Sequence, residues 1–257
     1  MTEMLIVDLS HAGIAQVTLN RPEKRNALCI DLLQQLCAQV EQLASESSVR
    51  VLILQGAGPV FSAGLDLAEA SNPELVQFSA ECVARSLALL RSTPLITIAA
   101  AHGGAFAGGA GLMAACDIAI GTSDLKIGFP EARRGLLPAL VCAVMSPKVR
   151  EGDLRDLFLV GESIDAARAQ QIGLLQRVVD PSRLAECAMD VAQSILAGGP
   201  QTIAATKLLL NQTYMPAASF SPEHLLEVHL GARRSSEATE GLAAFLEKRL
   251  PNWMTNG

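Results

Sequence analysis

The chain has 257 residues, half of them hydrophobic, enough to bury the core of one large domain or of a domain with an appendage. Its net charge is −6 with no lysine- or arginine-rich stripe, which argues against a nucleic-acid or acidic-membrane surface as the main partner. No apolar run reaches the roughly 18 residues of a membrane span and no charged-then-apolar leader opens the chain, so the expected location is the cytoplasm. The six cysteines, Cys29, Cys37, Cys82, Cys116, Cys142 and Cys187, form no C-x-x-C pair and are expected as free thiols, with no metal site.

In chain order, Met4–Leu9 and Ile14–Leu19 flank His11-Ala12-Gly13 and read as a β-hairpin. The loop NRPEKRNAL (Asn20–Leu28) leads into an amphipathic helix over Asp31–Ala44, with Leu32, Leu33, Leu36, Val40 and Leu43 at helical spacing. A short buried strand over Val51–Gln55 is followed by the glycine-bearing loop FSAGLDL, Phe61–Leu67. Glu74–Leu90 is a predicted helix ended by Thr93-Pro94. The strand Ile96–Ala101 then feeds a glycine-rich turn, a helix over 109–115 and a strand at Ile118–Ile120. Lys126–Phe129 is a short strand running into PEARRGLLP. Helices are expected over Leu140–Val149, Glu151–Val160 and Asp165–Gln171, a last strand at Val178–Val179, and helices at Leu184–Ala197, Gln201–Thr213 and Pro222–Arg249. Strands alternate with helices to about residue 180 and helices dominate afterwards, which is an α/β core with a helical C-terminal region; the linker-like break is Gly198-Gly199-Pro200.

The chain is organised around IAAAHGGAFAGGAGLMAACD, Ile98–Asp117, where an apolar strand meets five glycines (Gly103, Gly104, Gly108, Gly109 and Gly111) and continues as a small-residue helix. A strand feeding a helix through glycines leaves backbone N–H groups unpaired at the positive end of the helix dipole, open to a negatively charged oxygen. Tight strand-on-helix packing is the alternative reading of the same glycines. The glycine spacing does not fit a dinucleotide fingerprint, and no Gly-Lys-Ser/Thr follows for a P-loop.

The segments NRPEKRNAL, FSAGLDL, HGGAFAGGAGLMAACDIAI and FPEARRGLLP, followed by GESIDAARAQQIGLLQRVV, resemble in order and spacing the crotonase (enoyl-CoA hydratase/isomerase) superfamily from about Val7 to Lys248. The resemblance implies an α/β fold built as a spiral of ββα turns over residues 1–198, and a C-terminal helical region over 199–257 that builds trimers or dimers of trimers. It implies acyl-CoA thioester substrates, with coenzyme A as part of the substrate and no permanently bound cofactor. It implies an oxyanion hole for the thioester oxygen formed by the backbone N–H groups of Leu65 and Gly108.

The two-glutamate hydratases of this superfamily carry a glutamate three residues after the second oxyanion glycine, and Gly111 stands there in this chain. Their other glutamate corresponds to Glu131, the candidate acid/base of what resembles a single-glutamate member. The segment E-x-R-x-G-L-x-P-A (Glu131, Arg133, Gly135, Leu136, Pro138, Ala139) is similar to that of hydratases acting on branched glutaconyl-type esters. Arg133 and Arg134 are either a solvated basic pair or receptors for a distal carboxylate. By the same resemblance, CoA contacts fall to Arg25 and Ala27, with backbone from Ala63, Leu65 and Leu67, and AAFLEKR nominates Phe245 and Lys248, the latter toward a neighbouring subunit's CoA. His102 is expected as a packed, hydrogen-bonded histidine, and Asp66 and Asp117 as structural carboxylates. The acyl pocket is expected from Ser71–Ser86 and Leu136–Met145. Hydration of an enoyl-CoA is the first functional expectation. Double-bond isomerisation, decarboxylation of a malonyl-type thioester, and acyl-CoA binding without catalysis are the alternatives.

Overall fold

Val51–Leu54 and Ile96–Ala101 are wholly buried runs, and they lie side by side as parallel strands in the middle of the fold. Their alternation divides two cores: Leu52, Leu54, Ala99 and Ala101 face the main one, while Val51, Ile53, Ile98 and Ala100 face a smaller one. The structure, a computed structural model, describes residues 3–70, 72–214 and 222–255. Its strands are β1 (Leu5–His11), β2 (Ile14–Leu19), β3 (Val51–Gly56), β4 (Ile96–Ala101), β5 (Gly104–Phe106), β6 (Ile118–Thr122), β7 (Lys126–Gly128), β8 (Ile164–Asp165) and β9 (Arg177–Val179). The helices are α1 (Ile30–Ser45), α2 (Leu67–Ala70), α3 (Val76–Ser92), α4 (Gly108–Ala115), α5 (Ala139–Met145), α6 (Glu151–Arg155), α7 (Ala166–Gln171), α8 (Leu184–Leu196), α9 (Pro200–Tyr214), α10 (Pro222–Arg233), α11 (Ser236–Leu246) and α12 (Asn252–Thr255).

One sheet runs β1-β2-β3-β4-β6-β9, antiparallel in the first pair and parallel after it, and a second runs β5-β7-β8. Two turns of the chain take a strand in the first sheet, a short strand in the second and then a helix: β4–β5–α4, then β6–β7 and on to α5. The Ser62–Ala105 bridge gives the turn between β3 and α3 its place beside β5. This is the ββα spiral that the sequence resemblance implies. α8 covers the smaller core with Ala188, Val191 and Ala192, while α1, α3, α4 and α5 pack over the larger one.

The expected helix over Pro222–Arg249 is two helices, because Ser235 turns extended and its hydroxyl accepts from the Ala238 N–H at 3.1 Å as the N-cap of α11. β5 and β8, three and two residues long, are too short to leave a periodic signature in the sequence. Glu151–Val160 closes as a π turn over its last five residues. Ser71, first residue of the stretch expected to shape the acyl pocket, lies outside the described residues, as do 215–221 of the C-terminal region. All six cysteines are free, and no described helix is long and apolar enough to cross a membrane.

α9 is tied to the core by a buried ion pair. Lys207 Nζ lies 2.8 Å from Asp117 Oδ2 and donates to the Leu95 carbonyl at 2.7 Å, while Asp117 Oδ2 also accepts from the Thr97 N–H at 2.8 Å and its hydroxyl at 3.0 Å. Asp117 thus has the structural role expected of it. Asp117→Ala leaves the Lys207 ammonium buried without its counter-charge, and because Asp117 is partly exposed the expected loss is about 2–4 kcal/mol in chemical denaturation.

Candidate active site

The site grows from the loop that joins β2 to α1. Asn26, fully buried, donates from its amide nitrogen to the carbonyls of Ala57, Val60 and Phe61 at 2.8, 2.9 and 3.1 Å, and its Oδ1 accepts from the Arg21 N–H at 2.9 Å. The Ser62 hydroxyl donates to the Asn26 carbonyl at 2.8 Å, and Arg21 forks onto Asp66 Oδ2 at 3.1 Å from both terminal nitrogens. Four more bonds fix FSAGLDL between this loop and the second sheet: Ser62 N to Gly104 O, Phe106 N to Ser62 O, Ala63 N to Arg25 O and Asp66 N to Leu28 O, all 2.9–3.1 Å. Asp66 is the structural carboxylate the sequence suggests, and His102 bonds the Gly58 carbonyl at 2.8 Å. The roles of Asn26 and Ser62 were not anticipated, since a buried polar side chain in a loop leaves no periodic signal.

Two glycines permit the close approach of this loop to α4. A Cβ on Gly109 would stand 2.7 Å from Ser62 atoms, and one on Gly64, whose φ is +91°, would stand 2.7 Å from the Phe106 carbonyl oxygen. Ala107 enters α4 at φ 48°, ψ −121°, a strained conformation for a residue with a side chain. The N–H groups of Leu65 and Gly108 donate no hydrogen bond among the described residues, although Asp66 N bonds the Leu28 carbonyl and Ala107 N the Gly128 carbonyl beside them. Both residues line a cavity of about 330 Å³.

Glu131 opens onto the same cavity from the turn after β7, following Phe129, whose fully buried ring is held edge-on by Phe158 at 5.2 Å. The glutamate is 8% exposed and its Oε2 has no hydrogen-bond partner. Burial pushes its carboxyl up to about 7, with its own backbone N–H and then Arg134 acting in the other direction. Arg134 lines the cavity with its guanidinium carbon 4.0 Å from the Phe245 ring centre, while Arg133 turns to the surface and pairs with Glu162 at 3.2 Å. The two adjacent arginines therefore have different surroundings.

Of the residues nominated from sequence, Glu131, Leu65, Gly108, Ala27, Ala63, Leu67 and Phe245 all border this one cavity. Arg25 and Lys248 do not; both are exposed, with φ of 51° and 54°. Lys24 is the cation of the first loop that reaches the cavity. The acyl-pocket stretches contribute Val83, Leu136, Leu137, Pro138, Leu140 and Val141. His229 and Arg233 of α10 complete the lining, and nothing in the sequence pattern marked them. The described residues contain no cluster suited to a metal ion.

Residues 10–256 match the family model for enoyl-CoA hydratase/isomerase. The chain belongs to the enoyl-CoA hydratase/isomerase family. A 2,3-dehydroadipyl-CoA hydratase of Escherichia coli is 32% identical to it over 240 residues, 92% of this chain and 93% of that protein. A solved enoyl-CoA hydratase from Mycobacterium avium is 33% identical and superposes with a TM-score of 0.88 over 98% of this chain and 100% of that one. A monofunctional enoyl CoA isomerase from M. smegmatis is 29% identical with a TM-score of 0.73, over 89% and 99% of the two chains. The family is thus shared with enzymes named for both reactions, and the side chains around the cavity carry the distinction.

Gly111 bears on that distinction. It lies in α4 against apolar side chains: a Cβ there would meet Val141 Cγ2 at 3.2 Å and Leu87 Cδ2 at 3.4 Å. A carboxylate introduced at this point has no prepared partner and is driven toward its neutral form. Gly111→Glu is expected to lower stability by about 2–4 kcal/mol in denaturant unfolding and to leave crotonyl-CoA hydration no faster than in the parent protein. A large gain in hydration with unchanged stability would show that the pocket has room for the second carboxylate.

Proposed function

We propose that the protein adds water across the α,β double bond of an enoyl-CoA thioester, with Glu131 as its single acid/base and the Leu65 and Gly108 N–H groups as oxyanion donors. One observation carries the reading: a buried carboxyl whose Oε2 has no hydrogen-bond partner, and which burial pushes up to about 7, shares a cavity with two unpaired backbone N–H groups. In the proposed reaction the ionised Glu131 takes a proton from water as the water oxygen bonds Cβ. The π electrons move onto the thioester oxygen, where the two N–H groups hold the enolate. Glu131 then returns the proton to Cα as the enolate collapses, so that one molecule of water is added. A carboxyl titrating near 7 has both forms available at neutral pH, which suits one group to both transfers.

Ala27, Ala63 and Leu67 offer backbone along the cavity edge to the CoA arm, and Phe245 closes the cavity over Arg134. Arg25 and Lys248, on the surface, are assigned to the CoA phosphates, Lys248 to those of a neighbouring copy. A second reading, migration of a double bond along an allylic system, is favoured by the absence of another free carboxylate among the described cavity residues: Asp66 borders the cavity but is held by Arg21. An allylic shift needs one base. Straight 2-enoyl, 3-enoyl, branched glutaconyl and malonyl thioesters assayed side by side separate the two readings.

Glu131→Gln is expected to reduce turnover by about 100-fold or more while CoA-ester binding persists. In the parent protein kcat/KM is expected to rise with pH through about 7 and level off above it, since the base must be ionised in the free enzyme. Unchanged turnover in Glu131→Gln moves the reading to decarboxylation, and no turnover of any of the four thioesters by the parent protein moves it to binding without catalysis.

The C-terminal helices leave Leu208, Leu209, Leu210 and Tyr214 of α9 exposed, together with Leu246, Leu250, Trp253 and Met254. We assign this apolar surface to contacts between identical subunits in a trimer or a dimer of trimers. Light scattering at micromolar concentration is expected to give one of those masses, and a stable monomer would remove the assignment together with that of Lys248.

A further inference from the structure

Arg233 is 8% exposed, and its Nη1 is spent on the Val76 carbonyl at 3.3 Å. Its Nε and Nη2 have no hydrogen-bond partner, and both are shielded from solvent. Those two N–H groups form the side-on edge of the guanidinium fork, the edge that receives both oxygens of a carboxylate. Burial lowers its affinity for the proton, to a pKa of about 10, without any acidic neighbour opposing the shift. A buried arginine in proteins is ordinarily paired, because a buried charge without a counter-charge is strongly unfavourable. The neighbouring polar group, His229, stands one turn earlier on α10, and it too has both ring nitrogens without a partner. Burial and then Arg233 bring its pKa down to about 4, with the Leu137 backbone acting in the other direction, so at neutral pH it is an uncharged imidazole. Both side chains border the cavity that holds Glu131, Leu65 and Gly108.

We infer that this cavity accepts an acyl chain ending in a carboxylate, which docks side-on against the Nε and Nη2 of Arg233, with the uncharged His229 beside it. The inference rests on the acyl-CoA reading of the same cavity and names its substrate class. The anion receptor is separate from the acid/base: Glu131 is shifted by burial, its backbone and Arg134, with no contribution from Arg233. The Val76 carbonyl holds one side of the guanidinium and leaves its recognition edge unpaired. The rest of the acyl stretch, Val83, Leu136, Leu140 and Val141, is apolar, so the chain between thioester and terminal group is hydrocarbon. The CoA phosphates are the other anions of such a ligand, and they are distinguished by experiment.

Binding of three unreactive ligands to the full chain at pH 7.5, by calorimetry, tests this: adipyl-CoA, hexanoyl-CoA of the same chain length, and CoA alone. Adipyl-CoA is expected to bind at least about tenfold more tightly than hexanoyl-CoA, as a bidentate charge-assisted pair implies. Arg233→Met is expected to collapse that preference to about one. Equal affinity of the parent protein for the two acyl-CoAs overturns the inference while leaving the acyl-CoA reading in place, and this comparison does not depend on any variant folding. If CoA alone binds as tightly as adipyl-CoA and Arg233→Met weakens both equally, Arg233 serves a phosphate and the inference fails. If none of the three binds, the acyl-CoA reading fails with it.

Discussion

The site depends on the close approach of two backbone segments, the FSAGLDL loop and the first turn of α4. Ser62 and Gly109 are so near that a single Cβ would not fit between them, and Gly64 passes the Phe106 carbonyl at a distance only glycine allows. Ala107 is held at positive φ to make the turn, a strain on the order of 1–3 kcal/mol that the surrounding hydrogen bonds must hold in place. The Asn26 amide, which joins three carbonyls of the second loop, and the Arg21–Asp66 pair are what hold it. With both segments fixed, Leu65 and Gly108 border the cavity with N–H groups that bond nothing else among the described residues. In the proposed reaction, donors fixed beforehand need no reorganisation as charge develops on the thioester oxygen.

The same cavity collects buried polar groups that the fold leaves without partners: Glu131 Oε2, both nitrogens of His229, and Nε and Nη2 of Arg233. Each is a cost to stability, because a buried polar atom forfeits its bonds to water. Their concentration around one space, beside free backbone donors, is the pattern of a site whose partners arrive with a ligand. Away from the cavity only Arg91 Nε and Thr122 Oγ1 are left so among the described residues, and other buried charges are paired. Lys207 and Asp117 are buried and paired, and Lys148 reaches the Cys116 carbonyl.

The lining comes from distant parts of the chain. The N-terminal loops and α4 supply the donors, the turn after β7 supplies Glu131, and α10 and α11 lie against α3, α5 and that turn to close the space. The pair of arginines after Glu131 shows how finely this closure sorts side chains. Arg133 reaches the surface and Glu162, while Arg134 is covered by the Phe245 ring of α11.

The sequence by itself determined the elements whose signals are local. Buried β3 and β4 are continuous apolar runs, α1 and α3 carry a helical stripe, and the glycines of the central stretch mark a strand-to-helix turn with open N–H groups. Four motifs in order carried the family, and with it the places of Glu131, Leu65 and Gly108 on one cavity. Only the tertiary structure decided what depends on contacts between remote segments. It gave β5 and β8, the short strands that pair with β7 on either side in the second sheet, and the break at Ser235, set by a capping hydroxyl. It packed Gly111 against Val141 and Leu87, separated Arg133 from Arg134, and brought His229 and Arg233 to the cavity from an amphipathic stretch with no motif of its own. The physical reason is common to all of these. Hydrophobic period and backbone preference are properties of neighbours in sequence, whereas burial, and with it the charge state and the unmet hydrogen bonds of a side chain, belongs to whatever packs over it.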